Sequence, residues 1–181
     1  DLVQGDGTGL PFADATFDVV VGRGVLHHLP DPLSALIEWR RVMRPDGAVV
    51  LSSEPTPIVE THGAWLLKGL LALPGMRGGL PPADEFWELA AMAANLHTFT
   101  AAELIGLCRD AGFGEIEIAT SGFAETLAMT ASYATHGHNP ALARRVPWRR
   151  ITSAGARADA WVWDRVLPSR WRHTLTGRLQ P

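Results

Sequence analysis

The sequence predicts an α/β chain, and three observations within residues 17–52 carry that prediction. Phe17–Val21 is a continuous, Val-rich apolar run, which reads as a strand buried on both faces, the habit of parallel sheets. Asp31-Pro32 opens a helix, since an aspartate side chain can accept from the free N–H groups of a first turn and proline suits the first helical position. Ala48–Ser52 is a second buried-strand run, entered through the tight turn Pro45-Asp46-Gly47. Strand, helix and strand in this order make a βαβ unit, with a crossover that joins parallel neighbours.

Taken from the start, Leu2-Val3 is strand-like and leads into Gly5-Asp6-Gly7-Thr8-Gly9, whose alternating glycines suggest a nucleotide-binding loop. Such a loop runs directly into a helix whose N-terminus faces the ligand. Here seven residues, beginning Leu10-Pro11-Phe12, separate Gly9 from the strand at Phe17, too few for a crossover helix. The loop is therefore of another kind.

Gly22-Arg23-Gly24 breaks the chain after the first strand, and Val25–Leu29 makes one short helical turn ended by Pro30. In the helix begun at Pro32, Leu33, Leu36, Ile37 and the stem of Arg40 share one face. It is expected to end near Met43 or Arg44, ahead of Pro45.

Residues 55–96 differ in character: they hold Pro55, Pro57, Pro74, Pro81 and Pro82 together with Gly75, Gly78 and Gly79, and a Pro/Gly hinge splits two helices expected at about 63–73 and 84–95. An insertion after the C-terminal end of a strand lies where α/β folds bind ligands. It reads equally as a lid and as extra helices covering the sheet. His62, Trp65, Phe86 and Trp87 are its candidates for contact with a substrate.

Thr100-Ala-Ala-Glu103 is a capping box for a helix that buries Leu104, Leu107, Cys108 and Ala111 and stops at Gly112. Ile116 and Ile118 then alternate with Glu115 and Glu117, as a strand with one wetter face does. Leu127, Met129, Ala131 and Tyr133 alternate again, which predicts a closing strand in an antiparallel hairpin. Beyond Tyr133 helices are expected at about 140–150 and 156–167, with Trp148, Trp161, Trp163 and Trp171 among arginines. The organisation expected is a domain over 1–135, with its helical insertion, and a basic, Trp-rich helical extension over 136–181.

Charge follows the same division. Residues 1–135 hold 7 Lys and Arg against 17 Asp and Glu, whereas 136–181 hold 9 Arg against 2 Asp. The chain as a whole is at −3, which disfavours a nucleic-acid partner overall, while the basic tail is compatible with packing on an acidic body or, alternatively, with peripheral contact at an anionic membrane or a nucleic acid. No apolar run approaches the roughly 20 residues of a membrane span. Cys108, the single cysteine, is expected to be buried, and the seven histidines lack thiol partners at zinc-site spacing, so no metal is expected. A cytoplasmic setting fits this cysteine usage. A first residue that is Asp rather than Met suggests a fragment of a longer chain.

Three stretches in order, "GDGTGLPFADATFDVVV", "VLHHLPDP" and "EWRRVMRPDGAVVLSSEP", resemble the class I S-adenosylmethionine-dependent methyltransferases, the small-molecule branch most closely. "FTAAELIGLCRDAGF" resembles the helix before that family's sixth strand, so the resemblance covers about residues 2–133. It implies a Rossmann-like methyltransferase fold met from its third strand onward, an N-terminally truncated sheet with family strands in the order 4-5-7-6, flanking helices and a helical C-terminal extension. The first glycine-rich cofactor motif and the acidic residue of the family's second strand would lie upstream, and the fragment is then expected to be inactive by itself.

The resemblance also implies roles. S-adenosylmethionine is the implied cofactor and a small-molecule methyl acceptor the implied partner. Asp6 would accept from the adenine amine while the Gly7 backbone reads the ring, although an Asp6 that only closes its own turn fits the same residues. Gly22, Arg23 and Gly24 would bring backbone close to the methionine part of the cofactor. His27 and His28, one turn on, are the candidates for a catalytic base or for orienting the acceptor, with capping or packing as the alternative. A non-catalytic binding module derived from such an enzyme is the competing expectation.

Overall fold

A computed structural model describes residues 2–58, 62, 65, 69, 72, 97–138, 140–172 and 174–181. The helices expected at 63–73 and 84–95 fall, isolated residues apart, outside the described residues, as do Phe86 and Trp87. The chain divides into two compact units, Asp1–Thr56 with Asn95–Ala119 and Thr174–Pro181, and Pro57–Ala94 with Thr120–His173.

The first unit is built on a four-stranded sheet of strands β1 (Phe17–Arg23), β2 (Met43–Pro55), β3 (Glu115–Ser121) and β4 (Thr174–Gln180), in the order β1-β2-β4-β3. β1 and β2 run parallel, in register from Val19 opposite Ala48 to Arg23 opposite Ser52. Helix α1 (Pro32–Val42) connects them, so the expected βαβ unit is present. Asp31 caps it through a 3.0 Å bond from the Ser34 N–H to Oδ1, with Pro32 in the first turn as expected. Helix α2 (Ala101–Asp110) opens on the expected capping box, Thr100 and Glu103 each accepting from the other's backbone N–H.

β4 runs antiparallel to β2, with Val49 opposite Leu179 and Leu51 opposite Gly177. Gly114, just before β3, donates to the Gln180 carbonyl at 3.0 Å, while Gly177 lies against Glu117 and Ile118, a register that runs β3 and β4 antiparallel. In family terms the sheet has the expected order 4-5-7-6, but its strand seven is not the stretch expected. Leu127–Tyr133 lies within helix α3 (Ala124–His138), and the closing strand comes from the last residues of the tail.

The reason is local and tertiary together. Residues 124–131, "AETLAMTA", are mostly good helix formers, and propensity for helix outweighed a weak alternation. In "TLTGRLQ" Leu175, Gly177 and Leu179 all turn inward and are buried. Gly177 leaves room for Ile118 of β3, whose Cδ1 would stand 2.5 Å from a Cβ there and would have to turn aside.

Three further expectations change. The inward face of α1 is Ala35, Leu36, Trp39 and Val42, whereas Ile37 is 49% exposed and Arg40 lies outside. The stripe is rotated because the large Trp39 indole takes the core position. Arg40 instead covers Gly112, which closes α2 with a left-handed φ of 89°. β1 is an edge strand, and Val19 and Val21 are exposed rather than buried on both faces. Leu2 and Val3 are exposed and form no strand.

The second unit is helical where it is described. α3 is followed by α4 (Pro140–Arg145) and α5 (Trp148–Ala158). α5 continues through a π-helical turn (Asp159–Trp163) into a last turn (Asp164–Val166), and a 3₁₀ turn (Ser169–Trp171) follows. The helix expected over 140–150 is split at Pro147, which cannot donate an N–H to continue it. α3 and α5 touch backbone to backbone: Gly155 is buried, and a Cβ on it would lie 2.9 Å from the Glu125 N and Cα.

Candidate active site

The C-terminal ends of the parallel strands β1 and β2 bring the sequence-nominated residues together with one the sequence did not nominate. β1 ends in Gly22-Arg23, Gly24 turns the chain with a φ of 55°, and Leu26–His28 forms a 3₁₀ turn. The three N–H groups that open this turn have no partner within it. They point instead at Glu54, near the end of β2. Glu54 Oε1 accepts from Val25 N at 3.1 Å and Leu26 N at 3.2 Å, and Oε2 accepts from His27 N at 3.1 Å.

A fourth bond joins His27 Nδ1 to Glu54 Oε2 at 2.7 Å. Glu54 is completely buried and His27 nearly so. A buried carboxylate is costly unless its lone pairs are met, and here four donors meet them. Because a carboxylate can only accept, Nδ1 is the ring nitrogen that donates in this bond, and Nε2 is the one left for another partner.

Glu54 reaches this turn because β2 is irregular. Ser53 takes a left-handed φ of 60°, rare outside glycine, where the pairing of β2 with β4 slips between Leu51 and Glu54. Bulges of this kind re-aim a side chain. Nothing in "LSSEP" as a hydrophobic pattern reveals the slip, which is why the sequence did not single out Glu54; an acidic residue between two apolar strand ends and a proline was the available signal.

His28 is exposed, and its ring lies 3.9 Å from that of His27 at 44°. Burial and the neighbouring His27 hold the His28 imidazole below its usual value, only partly offset by Glu54. His97, far along the chain from this turn, joins it through its N–H, which donates to the His27 carbonyl at 3.2 Å. His27 and His28 are thus neighbours at one turn, but only His27 is held by a carboxylate.

The opening loop is tied to the same region by α1. Asp6 Oδ1 accepts from both the N–H and the hydroxyl of Thr8, each at 2.9 Å, and the Asp6 carbonyl accepts from Gly9 N at 3.1 Å. These two Thr8 bonds hold the exposed Asp6 carboxyl below its ordinary range. Asp6 therefore makes the turn that was its alternative reading, and it does so ionised and facing water. Gly7 accepts from Trp39 Nε1 at 3.0 Å through its carbonyl.

Trp39 also decides the role of Gly22. A Cβ at Gly22 would stand 2.9 Å from Trp39 Cζ3 and 3.2 Å from Val25 Cγ1. The missing side chain makes room for an indole. At Gly24, by contrast, the nearest atoms to such a Cβ, His27 Cε1 and Ser53 O, are at 3.7 Å, and the positive φ is what calls for glycine. Arg23 is exposed. Farther along the loop, Glu38 Oε1 accepts from Leu10 N at 2.7 Å, and Arg41 binds the Leu10 and Phe12 carbonyls, Glu38 and Asp14. Neither Trp39 nor this Glu38–Arg41 clamp was nominated, because a helix pattern does not say which loop its side chains will hold.

Among the described residues no group of three or more His, Cys, Asp or Glu is arranged to hold a metal ion. No helix among them is long and apolar enough to cross a membrane. Cys108 is buried, and burial pushes its thiol up to about 12, which makes it a poor nucleophile.

Residues 1–51 match the family described as a methyltransferase domain. A demethylmenaquinone methyltransferase of Renibacterium salmoninarum is 36% identical over 87 residues, covering 46% of this chain and 37% of that protein. A demethylmenaquinone methyltransferase of a Geobacillus species is 32% identical over 126 residues, covering 67% of this chain and 52% of the relative. The chain thus spans about half or less of the length of these curated relatives. In fold, phosphoethanolamine N-methyltransferase 2 of Haemonchus contortus, solved with S-adenosyl-L-methionine, superimposes with a TM-score of 0.51 at 13% identity, over 97% of this chain and 36% of that one.

Proposed function

We propose that this chain, a member of the class I S-adenosylmethionine-dependent methyltransferases, is the part of an enzyme that orients and deprotonates a small-molecule acceptor for methyl transfer. The observation that carries the proposal is the His27–Glu54 pair at the C-terminal ends of two parallel strands, the usual place for chemistry in an open α/β sheet.

The residues present fit the cofactor in one definite respect. Asp6 offers an exposed, ionised carboxylate suited to accept from the adenine amine, with Gly7 beside it. Gly24 supplies the close backbone approach to the rest of the cofactor, and Arg23 lies next to it. Gly22 contributes indirectly, by seating Trp39. When bound, S-adenosylmethionine supplies an electrophilic methyl group on a sulfonium.

In this reading Glu54 would hold the His27 ring through Nδ1, and His27 Nε2 would take up the proton that the acceptor's heteroatom gives up. The imidazolium so formed is stabilised by the Glu54 carboxylate it already touches. His28, exposed and held neutral more easily than an ordinary histidine, borders the acceptor. Positioning supplies the larger share of the acceleration and proton removal a smaller one. A cytoplasmic setting and a low-molecular-weight acceptor belong to the same reading.

The test is transfer of labelled methyl from S-adenosylmethionine by the full-length protein into a metabolite extract freed of protein and nucleic acid. Label is expected in a small molecule, and His27→Gln should lower the rate by on the order of 10²-fold or more. No label in any small molecule, or an unchanged rate in His27→Gln, overturns the respective part of the proposal. Residues 1–181 alone should bind S-adenosylhomocysteine weakly; micromolar binding by calorimetry would contradict that.

A further inference from the structure

The second unit contains a cavity of about 310 Å³ lined by His62, Trp65, Phe123, Leu127 and Trp171. We propose that it binds a flat, uncharged aromatic molecule of about two fused rings, and that it does so independently of the methyl-transfer reading.

The size comes first. A cavity of roughly 150 Å³ lined by aliphatic and aromatic side chains accommodates benzene. This one is about twice that, and it is open on one side rather than sealed. The lining settles the chemistry. Among the described residues that line it, four of five side chains are rings and none carries a carboxylate or guanidinium, and their polar atoms are those of the His62 imidazole and the two indoles.

The rings are arranged as walls. His62 meets Phe123 edge-on, at 6.2 Å and 89°, and lies 5.5 Å from Trp171 at 49°. Aromatic pairs favour these offset and edge-to-face geometries, and a flat guest can continue them. Behind them Phe123 packs on Trp163 at 5.8 Å, so the wall is supported.

The mouth is the second observation. Trp65 is 79% exposed and Trp171 44% exposed, although both line the cavity. Large aromatic side chains left in water at one opening mark a surface that a ligand would cover. A cationic guest, which an aromatic cage can also hold, is disfavoured by the net positive charge of this unit, to which the arginine-rich residues 136–173 contribute.

The experiment is titration calorimetry of the whole chain with 2-naphthol, decanol and tetramethylammonium. Saturable binding of one 2-naphthol per chain is expected, tighter than the other two. Leu127→Trp, which fills the cavity, should weaken 2-naphthol binding at least tenfold, and Trp65→Ala severalfold. Trp161→Phe, an exposed aromatic outside the cavity, should leave it unchanged. Should Leu127→Trp fail to fold, the exposed Trp65 position keeps the test decisive. The proposal is overturned if 2-naphthol does not saturate, if Trp65→Ala binds it like the parent, or if decanol or tetramethylammonium binds more tightly. Naphthol binding without any methyl transfer would sink the proposed function and leave this inference standing.

Discussion

Each of the two units holds the start of a helical segment with a buried carboxylate from elsewhere in the chain. In the first, Glu54 accepts from Val25, Leu26 and His27 N–H. In the second, Asp159 Oδ1 accepts from Ala124 N and Oδ2 from Glu125 N, both at 2.8 Å, at the head of α3. The physics is the same: unsatisfied N–H groups and the positive end of a helix attract a negative charge, and several strong bonds offset its desolvation. The difference is the fourth donor. Glu54 also holds a histidine side chain, which can gain a proton, whereas Asp159 faces Asp164, whose carboxyl is pushed up by burial and by the Asp159 charge. One capping carboxylate thereby also holds an imidazole, while the other stands beside a second carboxyl.

That contrast is broken most severely at Glu54. Glu54→Ala should destabilise the chain by about 3–5 kcal/mol, since it strands three buried N–H groups and the His27 imidazole. Asp159→Ala, with two bonds, should cost less, about 2–3 kcal/mol. Urea unfolding followed by circular dichroism measures both, and equal losses would refute the ranking. Glu54→Gln sharpens the point: a change in the pH profile of methyl transfer by the full-length protein is expected, beyond what the loss of stability accounts for.

A smaller effect tests the helix contact that Asp159 accompanies. Gly155→Ala puts a methyl 2.9 Å from the Glu125 backbone and should cost about 1–3 kcal/mol, because backbone yields less readily than a side chain. Thr100→Ala removes a capping box with no buried charge and should cost about 1 kcal/mol. Thermal unfolding that shows the reverse order would mean that α3 and α5 separate at little cost.

The smallest effects are those of pH. Asp164 has a folded value above its unfolded one, so the folded state binds the extra proton and stability falls as pH rises through that window. Asp164→Asn should therefore stabilise the chain slightly at neutral pH and not at acid pH. Asp31 and Glu103 behave oppositely. Bonds from Ser34 and Thr100 lower them, so their contribution is present above the unfolded carboxylate range and is lost as pH falls through their folded values. Stability curves of Asp31→Asn and Glu103→Gln that stay parallel to the parent's down to pH 3 or so would contradict this.

Much of the first unit could be read locally. The Asp31-Pro32 start, the Thr100–Glu103 capping box and the Gly112 stop are contained in a few adjacent residues, and each appears as expected. The place of His27 and His28, just after a strand and a glycine break, was legible for the same reason. What could not be read depends on partners far along the chain. Glu54 meets His27 across 27 residues, and Trp39 reaches Gly7 across 32. The closing strand was misplaced because Leu127–Tyr133 and Leu175–Leu179 both alternate, and only packing against Ile118 and Leu51 distinguishes them.

By itself the sequence determined the α/β class, the parallel βαβ unit, the starts of α1 and α2, and the family, because periodicity, caps and motif order are properties of short stretches. Tertiary structure decided which alternating segment completes the sheet, which side of α1 is buried and which carboxylate holds the histidine. Those outcomes turn on the competition of distant side chains for the same space and the same hydrogen bonds. That competition is settled only when the chain has closed on itself.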